Sequence, residues 1–248
     1  MINETTEKLY QMRLITMAVA FKEQLEQPSM GNLSFEERLA MIVDREWMAR
    51  ENRKLTRRLK TARLRSQATV EDIDYRHPRG LDKSVMRSLI TCQWIKSHQN
   101  LIITGPTGIG KTYIADALAQ KACREGFTAL KYRSTRLLGE LEIARGDGSF
   151  SKNINRLAKT DLLFIEDWGL ESMSDRERGN LLEVMEDRYG LKSTLITSQY
   201  PVSKWHELIG DSTMADAILD RIVHNAHKIT LKGESLRKTK SNLTQAEP

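Results

Sequence analysis

The residues best equipped for chemistry are an octet, Gly105-Pro106-Thr107-Gly108-Ile109-Gly110-Lys111-Thr112. Glycine at the first and sixth places, then lysine, then a hydroxyl residue, is the spacing of a loop that cradles phosphates. Glycines leave the backbone N–H groups unobstructed where the chain curls around a β-phosphate. A helix starting at the end of the loop adds the positive end of its dipole. In such a loop Lys111 reaches the β- and γ-phosphates and the Thr112 hydroxyl ligates Mg2+. The octet is the expected seat of ATP.

Hydrolysis needs a magnesium-orienting acid and a group that positions the attacking water, both close to the γ-phosphate. The apolar run Leu162-Leu163-Phe164-Ile165 leads into Glu166-Asp167. We assign Glu166 to the metal shell and Asp167 to water activation. Adjacent side chains on an extended segment point opposite ways, so this division holds only if the strand ends there. The plain alternative is an acidic pair before a Trp168-Gly169 turn. At the end of the next run, Thr197-Ser198-Gln199 places Gln199 or Ser198 to sense the γ-phosphate, although Ser and Gln are also ordinary turn residues. Arg221, in Ala217–Val223, is either a surface ion-pair partner or an arginine supplied to a neighbouring subunit's site. His206, His224 and His227 form no metal set, and no Ser-His-Asp or Cys-His arrangement is legible.

These residues need elements to hold them. From Asn100 onward, short β-branched runs alternate with helical stretches, the mark of a parallel sheet. Strands are expected at Leu101–Thr104, Ala129–Tyr132, Leu162–Ile165, Thr194–Thr197 and Lys228–Leu231. The expected fold is α/β, a P-loop NTPase with a five-stranded parallel sheet flanked by helices, preceded by a small all-helical domain. We place the boundary between residues 70 and 71. In the first part, Leu9, Met12, Ile15, Met17 and Phe21 predict one amphipathic helix ending near Pro28. Ser34 and Glu37 form a capping box that opens a second helix running to about Leu64.

With 248 residues the chain is long enough for one such domain and a smaller appendage. No apolar run approaches the roughly 18 residues a membrane span requires. The first residues lack the pattern of a secretory signal, and Cys92 and Cys123 have no metal or redox spacing. A cytoplasmic protein with reduced core thiols is expected, as are packing roles for Trp47 and Trp94. The charge is +6, and it is concentrated. Arg53, Lys54, Arg57, Arg58, Lys60, Arg63 and Arg65 fall within thirteen positions that contain no acid. DNA phosphate is the natural counter-charge for such a run; pairing with acids elsewhere is the alternative. With few aromatics interleaved, double-stranded DNA is the expected ligand. Lys232, Arg237, Lys238 and Lys240 make a weaker second patch.

From Leu101 onward the chain resembles the AAA+ ATPases, and among them the IstB-like helper proteins of bacterial insertion sequences, relatives of the DnaC helicase loaders and DnaA initiators. The resemblance rests on the octet, on Thr197-Ser198-Gln199 followed by Pro201 and Trp205-His206-Glu207, on Ala215–Arg221, and on Leu231–Lys238. It implies an ATP-dependent regulator that forms a homo-oligomer on DNA, with ATP at subunit interfaces, and recruits or activates a partner transposase. It places Arg221 where the family carries its inter-subunit arginine, Gln199 on the sensor strand, and Arg237 near a second sensor position, with little chain left for a helical lid. Relatives show Asp where this chain has Glu166, a change that displaces the carboxylate by roughly 1.5 Å. A helicase loader of the same fold is the alternative. A small-molecule P-loop kinase and a DNA-binding scaffold that holds ATP without turning it over are further alternatives.

Overall fold

The computed structural model describes residues 2–64 and 66–236. The chain divides into two compact units, one through Arg57 and one from Arg58, so the division falls before the boundary expected at 70/71.

The first unit is helical. In place of one helix there are two, α1 (Ile2–Gln11) and α2 (Ile15–Glu26). They are separated at Arg13, whose φ of 59° is left-handed. The Leu14 N–H bonds the Leu9 carbonyl and the Arg13 N–H that of Tyr10, which closes the first helix as a C-terminal capping turn does. The helix α3 (Phe35–Ala62) begins as the Ser34/Glu37 capping box predicts, with both reciprocal bonds formed (2.8 and 3.2 Å), and runs through the division. Glu46 is the buried polar centre of this unit. It accepts from the Met17 backbone N–H (3.0 Å) and from Arg50 (2.7 Å) and Arg53 (3.3 Å). Ile42 and Glu46 face inward on α3, which turns Trp47 outward, 63% exposed. The packing role expected for Trp47 is therefore not realised within its unit.

The second unit opens with α4 (Lys83–Ile90), capped by Asp82, and the short α5 (Gln93–Lys96). Trp94 is buried there and donates to the Leu89 carbonyl, as a packing residue should. Five strands follow: β1 (Asn100–Thr104), β2 (Ala129–Arg133), β3 (Leu162–Trp168), β4 (Ser193–Ser198) and β5 (Ala226–Thr230). All are parallel, in the order β2-β3-β4-β1-β5. Between them lie α6 (Lys111–Arg124), α7 (Ser134–Asp147), α8 (Phe150–Lys159), α9 (Asp175–Arg188), α10 (Trp205–Ile209) and α11 (Ser212–Val223). The inner strands are buried almost throughout because helices cover both faces of such a sheet. The core includes Trp168 and Trp205, whose rings lie 5.2 Å apart. Cys92 and Cys123 are buried, and burial pushes both thiols up to about 11.

Two consequences of this topology matter for chemistry. The ends of β1, β3 and β4 converge on one edge, where open α/β sheets bind ligands. At the opposite edge, the buried Arg188 guanidinium donates to the carbonyls of Leu157, Thr160 and Ser193 and to the Thr194 hydroxyl, joining the turns that enter β3 and β4.

Candidate functional site

The octet leaves the end of β1 as a curled loop and becomes the first turn of α6. The Gly105 N–H bonds the Ser198 carbonyl (3.2 Å), which pins the loop to β4. Gly105 has φ 147°, and a Cβ there would lie 2.5 Å from the Leu231 carbonyl oxygen, so only glycine fits. Gly110, φ 99°, is the left-handed residue from which α6 departs. Lys111 is 8% exposed, and its ammonium bonds the carbonyls of Gly105 (2.6 Å) and Pro106 (2.8 Å). Burial lowers its pKa from the ordinary lysine value, and the nearby Asp167 carboxylate acts against that shift.

A cavity of about 720 Å³ opens beside the loop, within the usual range for small-molecule sites. Lys111, Thr112, Asp167 and Gln199 all line it. Gln199 accepts a 2.6 Å hydrogen bond from Thr107, so the end of β4 is tied directly to the loop. Ser198 does not join them. Its fully buried hydroxyl donates to the Trp168 carbonyl (2.8 Å) and accepts from the Tyr200 N–H (3.1 Å), which makes it a strut between β3 and β4.

The acidic pair divides, but not because the strand ends. β3 continues to Trp168 through a bulge: Ile165 pairs with Ile196 and Trp168 with Ser198, so Glu166 and Asp167 together oppose Thr197. Asp167 takes a left-handed φ of 62°, which breaks the alternation and turns its carboxylate into the cavity. Arg133, at the end of β2, lies 3.6 Å from it. Glu166 instead is buried, 3.4 Å from the Lys131 ammonium, and is not among the cavity's lining residues.

Arg221 lies at the far edge of the sheet. Its carbonyl accepts from Asn100 at the start of β1, and its guanidinium pairs with Glu186 (2.8 Å). The length of β1, roughly 13–16 Å, separates it from its own phosphate loop, so it is out of reach in cis.

One part of the cavity wall carries no signal in the sequence. Ser66, Asp74, His77 and Arg79 come from an irregular stretch before the sheet, with no periodicity or motif to mark it. Arg79 is buried beneath the loop, donating to the Ile109 (3.1 Å) and Asp74 (2.8 Å) carbonyls, and burial lowers its pKa. It braces the octet from below.

The basic run is less free than its composition suggests. Arg53 is drawn to Glu46, and Lys54 pairs with Glu51 (2.7 Å). Arg58 reaches the Gly126 turn, and Arg63 lies over the Tyr132 ring and 3.8 Å from Glu140. Arg57 and Lys60 are exposed and have no acidic partner among the described residues. Arg65, Arg237, Lys238 and Lys240 lie outside the described residues.

Residues 7–244 match the family model of the IstB-like ATP-binding proteins. The chain belongs to this family. An insertion sequence ATP-binding protein of Sinorhizobium fredii, y4pL, is 50% identical over 94% of this chain and 96% of its own length. A second from the same organism, y4uH, is 45% identical over 94% of each. The crystal structure of DnaI superposes with a TM-score of 0.57 at 20% identity, covering 66% of this chain and 91% of that one, a likeness of fold alone. The IstB-like chain is thus a P-loop ATPase, and its phosphate loop opens onto the cavity beside Lys111. Among the described residues no helix is long and apolar enough to cross a membrane.

Proposed function

We propose that this chain is an ATP-dependent regulator of DNA transposition that assembles as a homo-oligomer on duplex DNA, engages a partner transposase, and uses ATP hydrolysis to disassemble or remodel the complex. The observation that carries it is the division of the site between two edges of the sheet. Lys111, Thr112, Asp167 and Gln199 meet at one cavity, while Arg221 is held at the opposite edge, out of reach of its own loop, which supports a role toward a neighbouring copy. The family's insertion sequence relatives supply the biological setting.

Lys111 holds the β- and γ-phosphates, Asp167 orients the attacking water, and Gln199, fixed by Thr107, reports the γ-phosphate to the loop. Mg2+ fits the donors available. The Thr112 hydroxyl and the Asp167 carboxylate, which both line the cavity, are hard oxygens, and no cluster of three His, Cys, Asp or Glu cages a metal among the described residues. Magnesium is ordinarily held this way, by substrate phosphates, water and one or two protein oxygens. When bound, it neutralises charge on the β- and γ-phosphates. Thr112 would hold it, with Asp167 as the carboxylate that faces it in place of the expected Glu166, which is buried against Lys131. Asp167→Asn should abolish turnover while ATP still binds; an undiminished rate removes the catalytic assignment.

If Arg221 acts on a neighbour, mixing Arg221→Ala with Lys111→Ala subunits restores part of the ATPase activity, because some mixed interfaces pair an intact loop with an intact arginine. Absence of recovery at every ratio leaves Arg221 with only its Glu186 contact.

The DNA contact is assigned to α3, through Arg57 and Lys60. Reversing both to glutamate is expected to weaken duplex binding and reduce the slope of log affinity against log salt by about 2, roughly one per lost phosphate contact. An unchanged slope excludes α3 as the contact. Co-purification with a replicative helicase in place of a transposase would favour the helicase-loading alternative.

A further inference from the structure

Two cations stand almost out of water against the phosphate loop, and their hydrogen bonds go to backbone carbonyls. Lys111 is 8% exposed and bonds the Gly105 and Pro106 carbonyls. Arg79 is only 3% exposed and bonds those of Ile109 (3.1 Å) and Asp74 (2.8 Å). Its Nε–H is buried and has no acceptor among the described residues. The Asp74 carboxylate is engaged elsewhere, by the Arg76 backbone N–H (2.8 Å) and Nε (3.3 Å). Burial pulls the Arg79 guanidinium below its ordinary range, and the charge of Asp74 opposes this only in part.

The position makes the charge harder still to accommodate. A Cβ on Gly110 would lie 2.5 Å from Arg79 Nη1, and Gly110 is the residue from which α6 departs. The start of a helix carries the positive end of its dipole, which favours anions and disfavours a cation. A buried charge is tolerated when it is paired, so within the chain alone this arrangement is unfavourable. An anion in the cavity relieves it. Arg79 lines that cavity together with Lys111 and Thr112. The wall to which it belongs, with Ser66, Asp74 and His77, contains none of the residues assigned to the γ-phosphate, since Asp167 lies in the bulge of β3 and Gln199 follows β4.

We propose that Arg79 is a nucleotide-binding residue whose guanidinium supplies counter-charge to the phosphates that ATP and ADP share. This rests on the reading of the cavity beside Lys111 as the ATP site. The bonds to Ile109 and Asp74 hold the guanidinium in place before the ligand arrives, so little side-chain freedom is lost on binding. Arg79 is thus more than a brace: the loop it supports and the anion it neutralises are held by the same group.

The test is isothermal titration of the full chain with Mg-ATP and with Mg-ADP, alongside thermal melting with and without nucleotide. Arg79→Gln keeps an amide donor and removes the charge. Both nucleotides should then bind roughly tenfold more weakly or worse, and by the same factor, the scale of one charge-assisted hydrogen bond. Without nucleotide the variant should melt no lower than the parent, because a buried cation lacking an ion-pair partner has gone, while the stabilisation produced by nucleotide shrinks. Arg79→Lys keeps the charge and should recover most of the affinity. Unchanged affinity in Arg79→Gln overturns the proposal. Equal losses in the glutamine and lysine variants also overturn it, as does a glutamine variant that melts lower or fails to fold without nucleotide, since Arg79 is then only a brace. A loss confined to ATP moves the contact to the γ-phosphate and overturns the assignment as well. A parent that binds neither nucleotide defeats the reading of the cavity itself, a result distinct from parent-like binding in Arg79→Gln.

Discussion

Lys111→Ala is expected to weaken ATP binding roughly a hundredfold or more while leaving the fold intact. On the proposed reading the ammonium, on a lysine only 8% exposed, provides charge-assisted bonds to two phosphates, each worth about 1.5–3 kcal/mol. Its bonds within the chain are to the Gly105 and Pro106 carbonyls of its own loop, so removing them disturbs nothing beyond that loop. Isothermal titration reads the affinity and thermal melting the fold. Undiminished affinity would dismantle the nucleotide assignment.

The same residue gives the pH dependence a sign. Phosphate binding needs the charged ammonium, and burial has lowered the pKa of Lys111. Affinity therefore falls as pH rises through the lowered value, at a lower pH than for an exposed lysine at about 10.4. The contribution of Lys111 to folding stability runs the other way. The unfolded chain binds the proton more tightly, so stability rises with pH through the same window.

The largest expected loss of stability comes from a residue far from the phosphates. Arg188→Ala would leave three buried carbonyls and the Thr194 hydroxyl without their donor, at the junction of α8, α9 and the entries to β3 and β4. Each buried acceptor left without a partner costs about 1–3 kcal/mol, so a loss of several kcal/mol is expected. That is a large share of the 5–15 kcal/mol by which a domain is usually stable. Urea unfolding should show a lower midpoint with an unchanged slope. A loss below about 1 kcal/mol would mean that the carbonyls find other donors or were never dry. ATP binding to whatever fraction remains folded should be unaltered, since the octet is at the other edge of the sheet.

The strand runs were legible because a sheet covered on both faces requires unbroken apolar segments, and all five strands appear within two residues of their expected starts. The octet was legible because its geometry depends on glycines at fixed spacing; at Gly105 the structure adds a steric reason of its own, the Leu231 carbonyl 2.5 Å from where a Cβ would lie. The break between α1 and α2 was not. Arg13 adopts a conformation that glycine or asparagine would advertise, and a 3.6-residue periodicity read across it looks continuous. Trp47 misled for a related reason: an apolar residue next to an inward-facing position falls about 100° around the helix, on the outside. Ser198 and Gln199 are adjacent and chemically similar in sequence, yet one is a buried strut and the other lines the cavity.

What the sequence alone determined is the local chemistry: a loop spaced to cradle phosphates and a parallel α/β sheet to carry it. These depend on residue types at short, fixed separations. Tertiary structure decided everything that needs segments distant in the chain to meet. It sent Glu166 to Lys131 and Asp167 to the cavity, because a bulge in β3 rotates neighbouring side chains apart. It put Arg221 at the far edge of the sheet and Arg79 beneath the loop. Spacing along a chain cannot encode those meetings, since strand order and backbone rotation are set by how whole elements pack.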